Sequence, residues 1–357
     1  MLVTKLVDGG IRKNTKPKNK CLELERLEYE TFSGTSLFHY KDCYLNHEGL
    51  LFDSHFKLIS NHDEYAIIEK FHRNNNIKST IKLFFKKIKS KKVKNTKKYV
   101  LAYDDRGINN IFHWVVDTIG RLIYLEGIEG YTILIPEAAL KWDYVRETIK
   151  VLKGVVGVEV VPSNSMLKFD QIYVVSCSIY APGCQNERIL RKLKNKLLLN
   201  DERKHSYERV YLSRSKFGSR TVGNESEFIS VLNKYDFKTI YPEDYSFNEM
   251  RKIMFNVKVL VGVHGSALTN MLFIEGHAKI LCLKHVDGYP LLPYYWNGKY
   301  QSEFSDHYFY SMANTLGYDF YHFGCKHIES DSVLNINTNI LVDIKTFEGE
   351  LMSIVNE

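Results

Sequence analysis

The residues that could do chemistry fall into three clusters, and the first, VLVGVHGSALTNMLF, spans residues 259–273 of the 357-residue chain. Its pattern predicts an apolar strand that runs into Gly262, a tight turn, and a helix that begins just after Gly265. The two glycines remove side chains where the backbone turns and where a ligand could approach it. The N–H groups and the dipole at a helix start favour an anion such as a diphosphate. His264 could donate to a phosphate oxygen; the alternative is an ordinary strand–helix turn with a surface histidine.

The second cluster, YLSRSKFGSRTVGNESEF, spans residues 211–228 and places two arginines after a predicted strand. Arg214 and Arg220 follow the strand end at Ser213, with Lys216 between them. Ligands of open α/β sheets bind beyond the carboxyl ends of the strands, and this loop leaves such an end. A guanidinium is permanently charged and offers phosphate a two-pronged set of donors. We therefore predict that these arginines bind phosphate.

Three polar residues of the same cluster lie at the start of a predicted helix. Asn224 suits the N-cap position, and Glu227 three residues later completes a pattern typical of a capping box. Glu225 is not explained by capping. Its carboxylate could hold one of the two arginines or bind a ribose hydroxyl.

The third cluster, NNIFHWVVDTIGRL, spans residues 109–122. On a helix, Asn110, His113 and Asp117 lie at positions i, i+3 and i+7 and so share one polar face. A carboxylate four residues after a histidine can orient the imidazole or share its proton, which is what a general base needs. The alternative is a surface ion pair that contributes little to stability. The helix follows a predicted strand at 99–103, at the rim where a second domain would face it.

Outside the clusters, strand and helix patterns alternate from Tyr99 onward and restart at Arg209, which predicts parallel sheets. A β-hairpin is predicted around Glu48-Gly49, and a charged helix at 186–203. We therefore predict an α/β protein with two Rossmann-like domains. The expected division is an irregular N-terminus at 1–20, a first domain at 21–195 with a lysine-rich insertion at 82–98, a second domain at 196–304, and a helical segment at 305–357 that packs back across the domains.

The formal charge of +7 arises largely from nine lysines between Lys82 and Lys98. The run predicts a solvated loop or an exposed helix face. The alternative is contact with an anionic surface, either lipid headgroups or an acidic glycan. No basic-aromatic motif accompanies the lysines, so nucleic acid is not a predicted partner.

The six cysteines are scattered without a C-x-x-C pair, which predicts a reducing compartment and no zinc site. The first 20 residues hold no sustained apolar stretch, and no window approaches the roughly 18 apolar residues of a membrane span. We therefore expect a cytoplasmic protein, with peripheral contact at the inner face of the membrane as the alternative role of the lysine run.

Together the three clusters resemble glycosyltransferase family 61, which includes plant xylan-decorating enzymes, animal protein O-linked N-acetylglucosaminyltransferases and bacterial polysaccharide enzymes. The similarity runs from Cys43 to Tyr321 and rests on three motifs in order: N-x-x-H-W-x-x-D from Asn110, the arginine–glutamate segment from Arg214, and GVHGSALTN from Gly262. The resemblance implies a GT-B-like fold with two Rossmann-like domains facing a cleft. It also implies an inverting mechanism with no catalytic metal and no cofactor.

The resemblance further implies a role for each motif. The second domain would bind a nucleotide diphosphate sugar, with a UDP-sugar as the first candidate, and the first domain would bind a glycan or glycolipid acceptor. His113 and Asp117 would be catalytic, and Asn110 would lie on the acceptor side. The donor site would comprise Arg214, Arg220, Asn224, Glu225, Gly262, His264, Gly265, Ser266 and Asn270.

The chain departs from the family pattern at three positions. Met250 stands where glutamine is common, and Cys282 where an acidic residue is common. Since that acidic residue would lie near the ribose or the base, its replacement leaves the identity of the donor open. Ser266 replaces a more usual alanine, which is a mild change.

The resulting hypothesis is an inverting, metal-independent transfer of a sugar to a glycan hydroxyl in surface polysaccharide synthesis. Either His113 or Asp117 deprotonates the acceptor, while Arg214, Arg220 and the helix start after Gly265 neutralise the diphosphate. The chain contains no D-x-D triplet. Two alternatives are a polysaccharide-modifying enzyme of similar fold, such as a pyruvyl transferase, and a non-catalytic glycan-binding protein.

Overall fold

The computed structural model describes residues 2–19, 29–32, 34–59, 77–94, 96–126, 130–152, 155–176, 186–198, 207–285, 294–296, 299–301, 307–328 and 338–356. The chain divides into two compact units. The first unit consists of Met1–Gly10, Phe32–Ser178 and Arg188–Leu193, and the second of Ile11–Thr31, Ile179–Glu187 and Lys194–Glu357. Both units are mixtures of helix and strand, and each contains its own large sheet, so the protein is α/β.

The strands, in chain order, are β1 (Leu2–Val7), β2 (Gly10–Lys13), β3 (Tyr29–Phe32), β4 (Thr35–Asn46), β5 (Leu51–Phe52), β6 (Lys91–Lys92), β7 (Lys98–Leu101), β8 (Tyr131–Pro136), β9 (Val155–Val161), β10 (Met166–Val175), β11 (Arg209–Leu212), β12 (Lys238–Ile240), β13 (Val259–Val263), β14 (Lys279–His285), β15 (Tyr294–Trp296), β16 (Lys299–Gln301), β17 (Asp319–His327) and β18 (Ile340–Leu341).

The helices are Ile77–Ile88, Asp143–Ile149, Glu187–Leu197, Glu225–Lys234, Phe247–Met254, Tyr308–Leu316 and Ile344–Asn356, together with the 3₁₀ helix Ser266–Phe273. A further helix has π-type hydrogen bonding over His113–Ile119 and continues through Gly120–Leu122 and the 3₁₀ turn Ile123–Leu125. Short 3₁₀ turns lie at Glu137–Ala139 and Pro242–Asp244. Within the described residues, none of these helices combines the length and the apolar character that crossing a bilayer requires.

The sheet of the first unit runs in the order β1-β4-β10-β7-β8-β9, with β5 on β4 and β6 on β10. The four strands from β10 to β9 are parallel, whereas β1 and β4 are antiparallel additions. β8 is buried along its whole length, which suits its unbroken apolar sequence and its place between two parallel neighbours. The predicted hairpin is confirmed: β4 and β5 pair as Tyr44 with Phe52, and the turn uses Gly49 at a φ of 93°.

The N-terminal residues, expected to be irregular, form two strands instead. β1 pairs with β4 and forms one edge of the sheet, with Leu2 opposite His39. Further along, the buried Arg12 donates to the hydroxyl of Ser311 at 2.6 Å. The prediction was wrong because partners distant in the sequence order this segment, and its own polar composition does not reveal them.

The lysine-rich stretch is not a loop insertion throughout. It begins in the helix Ile77–Ile88 and continues through β6, which pairs with β10, into β7 of the sheet. The alternative of an exposed helix face describes its first part. The segment therefore belongs to the architecture of the first unit.

The sheet of the second unit runs in the order β12-β11-β13-β14-β17, all parallel, with β18 antiparallel at the end. Numbered within the unit, the parallel strands follow the order 2-1-3-4-5, which is one of the two common orders of a doubly wound sheet. The strand order reverses between β11 and β13. This switch point is where open α/β sheets bind ligands, beyond the carboxyl ends of the strands.

Residues 305–357 were expected to be helical, and this is only partly correct. The helix Tyr308–Leu316 ends at Gly317, whose φ of 76° makes it a left-handed C-cap. The chain then enters β17, which pairs along its length with β14 as the fifth parallel strand of the sheet. The terminal helix Ile344–Asn356 is observed, and it buries Phe347 in the core of the second unit. Only the part of the predicted helix 186–203 up to Leu197 can be compared, since residues 199–206 lie outside the described part.

Candidate active site

The predicted phosphate-binding motifs meet at the switch point of the second unit. β11 and β13 pair in parallel with Leu212 opposite Gly262. The loop that carries Arg214 and the turn that carries His264 therefore leave adjacent strands at the same edge of the sheet. Strand register, and not proximity in sequence, brings the two motifs together.

Two guanidinium groups converge on the backbone of Gly265. A Cβ atom at this position would lie 2.6 Å from Nη1 of Arg214 and 3.2 Å from Nη1 of Arg220. Arg220 Nη1 also donates to the carbonyl of His264 at 3.0 Å. Any side chain at 265 would displace an arginine, so glycine is needed here for close approach. Both cationic groups thus lie at the start of the helix Ser266–Phe273, whose N–H groups also favour an anion.

The environment of each arginine fixes its position. Arg214 is buried, donates from Nε to the carbonyl of Ser219 at 3.3 Å, and has its guanidinium carbon 4.5 Å from the ring centre of Phe217. Arg220 has a φ of 55°, which is uncommon for a residue other than glycine and often marks functional loops. Its Nε is buried without a hydrogen-bond partner in the described part of the chain. A buried Nε–H group of this kind could donate to a ligand oxygen.

The electrostatics of the switch point favour negative charge. Burial first, and then Lys284, Arg220, His322 and Arg214, hold the pKa of His264 well below its usual value. Burial and Lys284 likewise lower the pKa of His322 to about 4. Every side chain in this set is basic and disfavours the protonated form of His264. Both imidazoles are therefore neutral at pH 7, and an anion would be attracted to the lysine and the two arginines.

Glu225 is positioned by hydroxyl groups of its own unit. Its carboxylate accepts hydrogen bonds from Tyr211 at 2.8 Å and from Ser213 at 2.6 Å. Burial and the charge of Glu225 raise the pKa of Tyr211. The carboxylate therefore fixes the end of β11, directly before Arg214. Its predicted contact with the ribose stays a prediction.

The predicted capping box at the helix Glu225–Lys234 is not formed. Asn224 occupies the N-cap position, but its side chain makes no capping hydrogen bond. Its amide instead donates to the carbonyl of Val342 at 2.8 Å, and its oxygen accepts from the N–H of the same residue at 3.1 Å. The pattern misled because a partner 118 positions away in the sequence takes both polar groups. A donor-binding role for Asn224 stays a prediction.

Three further residues predicted for the donor site have roles in the turn itself. A Cβ atom at Gly262 would lie 2.9 Å from a methyl carbon of Leu268, so glycine allows this helix to pack on β13. Asn270 is buried and donates to the carbonyl of Ala267 at 2.8 Å. Ser266 is half-buried at the first position of the helix. Of the three, Ser266 lies next to the converging arginines.

The predicted pair in the first unit is formed. His113 Nδ1 lies 2.7 Å from Asp117 Oδ2, and the two side chains are 18% and 2% exposed. They lie in the stretch with π-type hydrogen bonding, a rare helix form that often occurs at functional sites. The buried carboxylate can accept a hydrogen bond from Nδ1–H and so orient the ring, which leaves Nε2 as the basic nitrogen.

Asn110 lies at the start of the helix that carries this pair. Its side-chain oxygen accepts from the N–H of Phe112 at 2.9 Å, so it caps the start of the helix. Trp114 fixes the same helix from the opposite side through a bond from Nε1 to the hydroxyl of Thr148 at 2.9 Å. Asn110 therefore positions His113 through the backbone, and its predicted contact with the acceptor stays a prediction.

Sequence reasoning missed four residues around these sites. Asp104 organises the loop before the helix by accepting from the N–H groups of Arg106 at 2.9 Å and of Gly107 at 3.1 Å. Arg121 is buried and donates to the carbonyl groups of Asp117 and Val175. The positions of Lys284 and His322 near His264 follow from the strand order, because both residues lie in strands that run parallel to β13. The signals were an aspartate pair after β7, a lysine near the end of β14 and a histidine within β17.

Among the described residues, no three histidine, cysteine, aspartate or glutamate side chains gather where they could hold a metal ion. Three of the six cysteines, Cys43, Cys282 and Cys325, are described, and all three are buried. Cys282 lies in β14 opposite Gly262.

Comparison with known proteins agrees with the motifs. The family model described as Glycosyltransferase 61 matches residues 111–281. This range contains the His113–Asp117 pair, both arginines and the turn at Gly265. No curated protein matches the chain. The match over residues 111–281 and the ordered motifs together support membership of glycosyltransferase family 61.

Proposed function

We propose that the protein is an inverting, metal-independent glycosyltransferase of GT-B-like fold. It transfers a sugar from a nucleotide diphosphate sugar, with a UDP-sugar as the first candidate, to a hydroxyl of a glycan or glycolipid. The reaction takes place in the cytoplasm and belongs to surface polysaccharide synthesis. The observation that supports this most is the convergence of Arg214 and Arg220 on the backbone of Gly265 at the switch point of the second unit.

The convergence supports a diphosphate as the ligand. Two guanidinium groups supply fixed, charged donors that match phosphate oxygens, and the start of the helix Ser266–Phe273 adds N–H groups. Negative charge grows on the diphosphate as the bond to the sugar breaks. Hydrogen-bond donors that are already in place stabilise that charge without reorganisation. A metal ion has this role in other transferases.

The His113–Asp117 pair supports activation of the acceptor hydroxyl. His113 is the more exposed of the two, and its Nδ1 contacts the carboxylate. Nε2 of His113 then takes the proton of the acceptor hydroxyl as its oxygen attacks the anomeric carbon. The bond between that carbon and the diphosphate oxygen breaks in the same step, and one displacement inverts the configuration. Asp117 orients the ring and stabilises the imidazolium that forms.

The test is transfer activity of EDTA-treated protein with a panel of UDP-sugars and glycan acceptors, followed by product mass and anomeric configuration. We expect a mass gain of one glycosyl residue and an inverted linkage. Arg214→Ala should lower the rate at subsaturating donor, whereas Arg209→Ala should not, because Arg209 lies at the other end of β11 and bonds the carbonyl of Tyr235. A wild-type rate in Arg214→Ala, or a product that gains something other than a sugar, would contradict the proposal.

A further inference from the structure

The helix Ile77–Ile88 presents an apolar stripe to solvent. Ile81, Phe84, Phe85 and Ile88 follow the i, i+3, i+4, i+7 spacing of one helix face, and they are 50%, 56%, 57% and 64% exposed. Four large apolar side chains side by side are unusual on a soluble surface, and such a patch marks an interaction site.

The opposite face of the same helix is the one that packs on the first unit. Leu83 contacts the buried cluster that includes Phe52. Lys87 donates to the carbonyl of Ser54 at 3.3 Å, and its ammonium lies 5.0 Å from the ring centre of Phe56. The side of the helix that carries Leu83 and Lys87 already packs on the first unit, so the exposed stripe is a second, separate apolar face.

Basic residues surround this corner of the first unit. Lys89 and Lys94 are exposed beyond the helix end. Lys91 and Lys92 pair with β10, which brings Lys168 beside them. Asp170 forms an exposed ion pair with Lys92 at 3.0 Å, so one carboxylate partly offsets the excess. A basic region next to an apolar stripe matches the surface of a bilayer that contains anionic lipid.

We propose that the helix Ile77–Ile88 lies in the plane of an anionic membrane surface. Its stripe would enter the boundary between headgroups and acyl chains, while the lysines contact lipid phosphates. A second copy of the chain fits less well, because symmetric pairing of this face would place lysines against lysines. The surface would hold the enzyme where a lipid-linked glycan acceptor is found, but its binding does not depend on the proposed reaction.

The test is co-sedimentation of the full chain with vesicles of phosphatidylcholine alone and of phosphatidylcholine mixed with phosphatidylglycerol. We expect binding to the anionic vesicles that weakens between low salt and about 0.5 M salt, because salt screens exposed charges. Phe84→Ser with Phe85→Ser should lower the partition coefficient about tenfold or more, since the lost apolar contact is large. Lys91→Gln with Lys92→Gln should weaken binding at low salt and reduce its salt dependence.

The matched control is Val156→Ser with Val158→Ser, because both valines are exposed apolar residues of β9 in the same unit. This control should bind vesicles as wild type does, and circular dichroism should show that all variants stay folded. Lack of binding to anionic vesicles, or equal binding by the double phenylalanine variant, would overturn the proposal. A dimer that the phenylalanine changes abolish, without any vesicle binding, would assign the stripe to a second copy instead.

Discussion

The two candidate sites differ in how the fold assembles them. The His113–Asp117 pair arises within one turn of a single helix, so its geometry depends on local spacing. Arg214, Arg220 and Gly265 come from two loops that meet only because β11 and β13 pair in parallel. The local site has the features of a proton acceptor, and the convergent site those of an anion receptor. Changes at the first should therefore affect turnover, and changes at the second should affect donor binding.

The largest expected effect is at the local site. Asp117→Asn keeps the size of the side chain, but the neutral amide no longer stabilises the imidazolium that forms on His113 and can hold the ring in the other tautomer. We expect the turnover number to fall by about 10²–10⁴ with little change in donor affinity. Steady-state kinetics with a saturating acceptor measure both quantities.

The control for this change is Asp170→Asn, which removes a surface carboxylate paired with Lys92 and should leave turnover unchanged. Equal turnover in wild type and Asp117→Asn would show that the pair has no part in proton transfer.

The next effect tests the convergent site through its backbone. Gly265→Ala places a methyl group 2.6 Å from Nη1 of Arg214 and so moves the guanidinium away. The loss of one charge-assisted contact should weaken donor binding about tenfold to a hundredfold, with turnover at saturating donor less affected. Isothermal titration with a nucleotide diphosphate gives the affinity.

Gly276→Ala is the matched control, because a Cβ atom there meets nothing within 4 Å. Its affinity for the diphosphate should equal that of wild type. If Gly265→Ala also binds the diphosphate as tightly as wild type does, diphosphate binding does not require the arginines at their observed positions.

The convergent site should also make stability depend on pH. The pKa of His322 is lowered from 6.5 to about 4 in the folded protein, so on acidification the unfolded state takes up the proton first. Stability from this group is therefore present above pH 6.5 and is lost as the pH falls toward 4. Between pH 7 and pH 5 the free energy of unfolding should fall by about 2 kcal/mol on account of this group.

Urea denaturation of wild type and His322→Asn at the two pH values measures this contribution. The asparagine variant should lose the corresponding part of the pH dependence, while the remaining dependence from His264 has the same sign. Identical pH dependence in both proteins would mean that His322 is not kept neutral by burial and Lys284.

The smallest expected effect distinguishes a structural role of Asn224 in the second unit from a role in donor binding. Asn224→Ala removes two bonds to the backbone of Val342 and should lower the free energy of unfolding by about 1–2 kcal/mol. Donor affinity should stay within about twofold, which titration and thermal melting check together. A tenfold loss of affinity without a loss of stability would place Asn224 in the donor site instead, as the family resemblance implies.

The same contrast explains what the sequence could predict. The His113–Asp117 bond followed from helical spacing, and the strand–turn–helix at Gly265 followed from an apolar run closed by glycine. The capping box at Asn224 failed because Val342, far away in the chain, takes its amide. The N-terminal strand β1 was missed for the same reason, since its order comes from β4.

Some features of the site depend on topology alone. Lys284 and His322 influence His264 because β14 lies next to β13 and β17 lies next to β14, and no local pattern encodes that order. The left-handed backbone of Arg220 is likewise set by its surroundings, because arginine has no intrinsic preference for it. Alternation of strands and helices predicted the parallel sheet, whereas its strand order required the three-dimensional structure.

The central claim is that the arginines at the switch point of the second unit bind the diphosphate of the donor. The most direct test is titration of UDP, UMP and uridine into wild type, Arg214→Ala and Arg209→Ala, so that the ratio of UDP to UMP affinity isolates the second phosphate. We predict that wild type and Arg209→Ala favour UDP by about tenfold or more, and that the preference largely disappears in Arg214→Ala. The same ratio in all three proteins would contradict the claim.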